Sequence, residues 1–136
     1  MRIHRRLASV QPQLDAAGWA LSNLASVPDF TVVGAVSTAT HGSGDGNRNL
    51  AAAVSALELV TASGDVLHLR RGDPEFDGAV VGLGALGVVT ALTLDLVPRF
   101  DIGQYVFHGL PFDRVVENFD AVMGSAYSVS LFTHWT

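Results

Sequence analysis

Thr38-Ala39-Thr40-His41-Gly42-Ser43-Gly44 begins eight residues after Phe30, the first residue of Phe30-Thr31-Val32-Val33-Gly34. The run carries very little side-chain bulk and passes through a His-Gly turn. Glycine tolerates unusual dihedrals, and Thr and Ser hydroxyls add hydrogen bonds beside the main-chain N–H groups. Such a backbone lets a large planar or phosphorylated ligand approach closely. A small-residue turn between two packed elements has the same composition. Thr31 is placed to cap a short helix starting at Val32. That helix would aim free N–H groups and a positive dipole end at a phosphate. Periodicity alone equally allows Phe30 to Val36 as a strand.

Working outward, residues 12–17 read as a short helix with Leu14 and Ala17 on one face and Gly18 ending it. Val54 to Thr61 and Val66 to Leu69 read as strands around the hairpin signal Ala62-Ser63-Gly64-Asp65. A short helix is predicted from Pro74 to Val81, with Asp73 as cap and Pro74 at the first helical position. The alternating run from Val88 stops at Pro98, and apolar residues on both of its faces suggest a central strand. Beyond Pro98, Tyr105 to Gly109 and Ser128 to Phe132 read as strands. Between them Phe112 to Met123 reads as an amphipathic helix with Val115, Val116, Phe119 and Val122 inward.

Gly82-Leu83-Gly84-Ala85-Leu86-Gly87 matches the G-x-G-x-x-G string of dinucleotide-binding folds. That fingerprint needs a strand before the glycines and a helix after them. Here a predicted helix precedes and a strand follows, which argues against such a site and leaves a tight turn as the plain reading.

Composition sets further bounds. The chain has 136 residues, about one domain, with 49% hydrophobic and 15% charged residues, so it packs as a globular protein. A net charge of -5 disfavours nucleic acid. Arg5-Arg6 and Arg70-Arg71 read as solvated pairs, and Asp45 with Arg48 as an exposed pair of little weight. There are no cysteines, which excludes disulfides, thiolate metal sites and cysteine nucleophiles. His4, His41, His68, His108 and His134 show no metal-ligand spacing, so no metal is expected. The apolar run after the basic Met1 to Arg6 is too short for a signal peptide. Gly78 to Leu94, though uncharged, contains four glycines and falls short of a membrane span. The expected compartment is the cytoplasm, with no membrane partner.

Read together, Leu24-Ala25-Ser26-Val27-Pro28, the small-residue run and Asn47-Arg48-Asn49-Leu50-Ala51 resemble the flavin-binding domain of FAD-linked sugar-alcohol oxidases. These are alditol and xylitol oxidases of the vanillyl-alcohol-oxidase fold group, with a PCMH-type FAD-binding domain, and relatives of the aldonolactone oxidases. The resemblance continues through Ala56-Leu57-Glu58-Leu59-Val60-Thr61, Arg70-Arg71-Gly72-Asp73, Gly84 to Thr90, and Tyr127 to Phe132. It implies an α+β fold, a mixed or antiparallel sheet with flanking helices. Residues 1–98 would be part of the FAD-binding domain and residues 99–136 the start of a substrate-binding cap.

The resemblance also implies FAD as cofactor and a polyol with O2 as substrates. Ser26 would lie near the flavin ring and touch the polyol. Thr31, Gly34, Thr38, Ala39, Thr40, His41 and Gly42 would contact FAD, and the Val88-Val89 backbone its adenine side. His41 reads as a noncovalent neighbour, since the family's flavin-linking histidine belongs to an earlier segment. The groups that activate the polyol belong to the cap beyond Thr136, so no catalytic residue is expected in this chain. As a fragment it is expected not to oxidise alditols alone. An aldonolactone oxidase, or a flavin-binding piece without catalysis, are the alternatives.

Overall fold

The computed structural model describes residues 5–134, so His4 and Trp135 lie outside the described residues. Helix α1 (Leu7–Ala16) starts five residues earlier than the sequence predicts and runs through Pro12. Leu7 and Val10 are buried, and Leu14 packs beside them in an i, i+3, i+7 stripe. Pro12 cannot donate to the Ala8 carbonyl one turn back, but both residues are exposed, so water can serve that carbonyl. Ala17 is exposed rather than inward, and Gly18 (φ 80°) ends the helix as expected.

Strand β1 (Trp19–Ala20) pairs antiparallel with β5 (Val97–Pro98), at the far end of the regular structure. Arg99 N–H donates to the Gly18 carbonyl at 3.0 Å, and Arg99 Nε meets Asp15 Oδ1 at 3.0 Å. The segment Val32–Ser37 is helix α2, not the alternative strand. Thr31 caps it, its Oγ1 accepting the Gly34 N–H at 3.1 Å. Val32, Ala35 and Val36 are buried beneath it.

Strands β2 (Val54–Val60), β3 (Val66–Arg70) and β4 (Val88–Leu94) form an antiparallel sheet in the order β3-β2-β4. The fold is thus α+β, as the sequence implied. The hairpin joins Val60 to Val66 across the predicted turn, closed by the Thr61 N–H on the Asp65 carbonyl at 2.9 Å. A register shift between Val54 and Ala56 resets the alternation, so Val54, Leu57 and Leu59 are all buried. The central strand is β2; β4 lies at the edge among the described residues. Apolar residues on both faces report what covers a strand above and below. They carry no information about neighbours in the hydrogen-bonding direction, and that is why the pattern misled.

Helix α3 (Phe76–Val80) is shorter than predicted and is not capped by Asp73. Asp73 instead closes the turn after β3, its Oδ2 accepting the Arg70 N–H at 2.7 Å. Pro74 therefore precedes the helix instead of opening it.

Beyond Pro98 the predicted β-α-β unit does not form. Residues 99–111 and 129–134 have no regular structure, because among the described residues no strand pairs with them. The predicted helix breaks at Asn118 (φ −127°) into α4 (Phe112–Glu117) and α5 (Phe119–Met123). Of its four predicted inward residues only Val115 is buried; Val122 is half-buried, and Val116 and Phe119 are exposed.

Candidate functional site

Three loops meet around the C-terminal end of α2. The first is residues 22–26, the second 38–49 and the third the glycine hexad 82–87. Asn23 joins the first two: its Nδ2 donates to the Arg48 carbonyl at 2.9 Å, while its Oδ1 accepts the Leu24 N–H at 2.9 Å. Gly42 lies so close that a Cβ there would sit 2.6 Å from the Leu24 carbonyl oxygen. Only a residue without a side chain fits. The hexad joins through the Leu83 N–H, which donates to the Ser37 carbonyl at 3.2 Å.

The end of α2 has a specific shape. The Thr40 N–H reaches the Ala35 carbonyl at 2.9 Å and the Ala39 N–H reaches Val36 at 3.1 Å. This is the paired reverse turn of a Schellman cap, with Ala39 at φ 53° in the place usually given to glycine. The Thr40 carbonyl then accepts the Leu50 N–H at 2.9 Å, holding the far end of the loop. Asn49 caps the following 3-10 turn (Leu50–Ala53), its Oδ1 accepting the Ala52 N–H at 3.0 Å.

Between these anchors, the main-chain N–H groups of His41, Gly42, Ser43 and Gly44 have no acceptor among the described residues. Residues 42–44 are half-buried and His41 is exposed. Four successive donors of this kind suit an anionic or carbonyl-rich ligand. The threonine hydroxyls do less than the sequence suggested. Thr38 Oγ1 donates to the Gly34 carbonyl at 2.9 Å, so the Thr40 hydroxyl, 3.1 Å away, supplies its proton to Thr38. Both are spent within the chain as donors. His41 Nδ1 lies 2.8 Å from the Gly42 carbonyl, which can only accept, so Nδ1 carries the hydrogen and Nε2 is left as an acceptor in the neutral ring.

Placement of the predicted residues is uneven. Ser26 is exposed at the end of the first loop and makes no hydrogen bond among the described residues. Thr38, Ala39, Thr40, His41 and Gly42 lie together on the second loop. Thr31 caps the opposite end of α2, and Gly34 lies within its first turn, where its carbonyl also takes the Thr38 hydroxyl. There the Val32 N–H donates to the Arg5 carbonyl at 2.9 Å and Gly34 N–H to Thr31, so the helix start offers fewer free donors than expected. Val88 opens β4, is exposed, and pairs with Val60; Val89 packs on the core. A cleft of about 350 Å3 between the 3-10 turn and α3 is lined by Arg48, Asn49, Arg71, Phe76 and Val80. One of about 300 Å3 is lined by Ser22, Asn47, Arg48 and Asp95. Neither includes a predicted site residue.

Sequence reading missed the asparagines and Arg71. Asn23, Asn47 and Asn49 each tie a loop, and an asparagine before Leu-Ala-Ala-Ala was a readable helix-cap signal. Arg71 is exposed, as the sequence reading has it, but it also has a structural role. Its guanidinium donates to the Ala52 and Val54 carbonyls at 3.2 and 2.7 Å and to Asp95 Oδ2 at 2.7 Å, pinning the 3-10 turn to the sheet. Asp45 and Arg48 form no ion pair. No helix among the described residues is long and apolar enough to cross a membrane.

Comparison with known proteins gives a consistent picture. Residues 5–70 match the family described as FAD binding domain. An alditol oxidase of Streptomyces sp. is 51% identical over 96% of this chain and 31% of its own length. An L-gulono-1,4-lactone dehydrogenase of Mycobacterium tuberculosis is 42% identical over 74% of this chain and 23% of its own. The L-gulonolactone oxidase of Bos taurus is 39% identical over 85% and 26%. The chain thus spans less than a third of the length of these curated relatives. Among solved structures, a solvent-stable cholesterol oxidase superposes with a TM-score of 0.62 at 20% identity, over 71% of this chain and 21% of that one. The cholesterol oxidase from B. sterolicum gives 0.62 at 19%, over 71% and 20%. At that identity the likeness concerns the fold.

Proposed function

We propose that this chain, whose residues 5–70 match the FAD binding domain family, is the flavin-holding part of an FAD-dependent alditol oxidase. The observation that carries the reading is the 51% identity to the Streptomyces alditol oxidase across almost the whole chain. Bound FAD would take a hydride from a carbinol carbon of the polyol and pass the electron pair to O2, giving an aldose and hydrogen peroxide.

The chain's own residues fit the cofactor through the four unpaired N–H groups of His41 to Gly44. These supply fixed donors for flavin or phosphate oxygens. Thr38, Ala39, Thr40 and the glycine at position 42 shape the backbone that presents them, with Thr31 and Gly34 supporting α2 from its other end. Val88 and Val89 extend the same surface past the hexad. Ser26, with a hydroxyl free of partners among the described residues, faces the polyol side. We place the boundary between the flavin domain (1–98) and the start of a substrate cap (99–136) at Pro98, where regular sheet structure ends.

The test is a chimera in which this chain replaces the matching stretch of the Streptomyces alditol oxidase. Peroxide production from xylitol or sorbitol is expected. A chimera that holds FAD and turns over L-gulonolactone but no alditol would reassign the chain to the lactone oxidases. In the active chimera, Ser26→Ala should weaken polyol binding by about 0.5–1.5 kcal/mol and leave flavin content intact. Loss of flavin with unchanged turnover per bound flavin would move Ser26 to the cofactor side.

A further inference from the structure

Four unpaired N–H groups on an irregular loop need something to stop the loop collapsing onto its own carbonyls. The cap of α2 fixes only the start, and Leu50 only the end. Between them Asn23 holds the Arg48 carbonyl and His41 the Gly42 carbonyl, but only the Asn47 side chain, among the described residues, ties the loop to residues near the C-terminal end of the chain through an amide. The two hydrogens of Asn47 Nδ2 go to the Ser43 carbonyl at 2.9 Å and to the Tyr127 carbonyl at 2.9 Å. The Asn47 main-chain N–H closes a turn onto the Gly44 carbonyl at 3.0 Å.

Tyr127 is itself anchored, which makes it a usable post. Its hydroxyl donates to the Ser22 carbonyl and its ring lies 5.9 Å from that of Phe100. The Ser43 hydroxyl meets that of Ser128. Gly44 has φ 113°, and the Tyr127 carbonyl occupies the place of a Cβ. The strap of residues 125–130 therefore lies flush on the loop, and Asn47 is clamped between the two.

We propose that Asn47 is the positioning residue of the flavin-facing loop, locking residues 41–44 against the 125–130 strap so that their N–H groups stay directed to the cofactor. This rests on the FAD reading above. The chemistry needs an amide, because one nitrogen must present two hydrogens to two carbonyl oxygens. A carboxylate of the same shape would set oxygen against oxygen.

The experiment uses the full chain and its Asn47→Asp variant. FAD binding is followed by quenching of flavin fluorescence, and strap docking by chymotrypsin cleavage after Tyr127 without FAD. The expected result is FAD affinity lower by about tenfold or more, together with faster cleavage. Asn47→Gln, which keeps the amide, should recover part of both. Parental affinity in Asn47→Asp overturns the proposal, and so does weakened binding with parental protection at Tyr127. If Asn47→Asp does not fold, Asn47→Ser decides by the same two criteria. A parent chain that leaves FAD fluorescence unquenched overturns the FAD reading as well, which separates the two failures.

Discussion

Ala39 and Leu83 hold φ values of 53° and 51°, the two non-glycine residues with positive φ among those described. They lie on loops joined by the hydrogen bond from Leu83 N–H to the Ser37 carbonyl. Left-handed geometry costs an L-residue about 1–2 kcal/mol, and such strain collects where surrounding structure over-determines it. Ala39 is held by the two bonds of the Schellman turn, which fix the direction in which the backbone leaves α2. Replacing it by glycine removes the Cβ penalty and adds about 0.4–1 kcal/mol of unfolded-state entropy. Ala39→Gly should therefore raise stability by about 0.5–1 kcal/mol, seen as a higher urea midpoint. A lower midpoint would mean that Ala39 carries no strain.

At the scale of elements, the hexad is a connector between α3 and β4. Its last glycine is the demanding one. Gly87 has φ 145°, and a Cβ there would collide with the Val60 carbonyl just where Val60 pairs with Val88. Gly84 also has positive φ, 76°, but no atom within 4 Å of its Cβ position. Gly87→Ala should cost about 1–3 kcal/mol and fray the first pairs of β2 with β4, whereas Gly84→Ala should cost about 1–2 kcal/mol and leave the sheet intact. Thermal melts of the two variants, with hydrogen exchange at Val60 and Val88, would rank them. The reverse ranking would contradict the close approach. The order α3, hexad, β4 places no helix after the glycines, so NADH should give no heat of binding in titration calorimetry. Tight binding would revive the dinucleotide reading.

Over the whole molecule, the stretch from Leu7 to Leu94 carries the core and residues 99–134 contribute little to it. Tyr105, Phe107 and Phe132 are 84%, 85% and 96% exposed, and Ile102, Val106, Phe112 and Phe119 are exposed beside them. An apolar surface of that extent associates in water. Concentration-dependent self-association is expected in sedimentation velocity, reduced by the double variant Phe107→Ser, Phe112→Ser. A chain that sediments as a monomer at all concentrations would show these side chains to be harmless.

The sequence by itself determined the elements whose causes are local. The Thr31 cap, the Ala62 to Asp65 turn and the apolar runs of β2 and β3 act within a few residues, so they were legible. The family relationship was legible too, because it rests on residue identities in order and needs no packing. Tertiary structure decided the rest. Edge or centre for β4, the early start of α1 through Pro12, and the failure of 105–109 and 128–132 to become strands all depend on which partners are present. The candidate site divides in the same way. The small-residue loop was readable as a backbone that faces a ligand, but its free N–H groups could not be told from its spent hydroxyls. The hydroxyls are spent locally, but the course of the loop and its flanks is tied by Asn23, Asn47 and Arg71, with bonds that reach carbonyls 17 to 80 positions away in the chain. Hydrogen bonds across such distances leave no local pattern, and only the folded chain brings the donors to their acceptors.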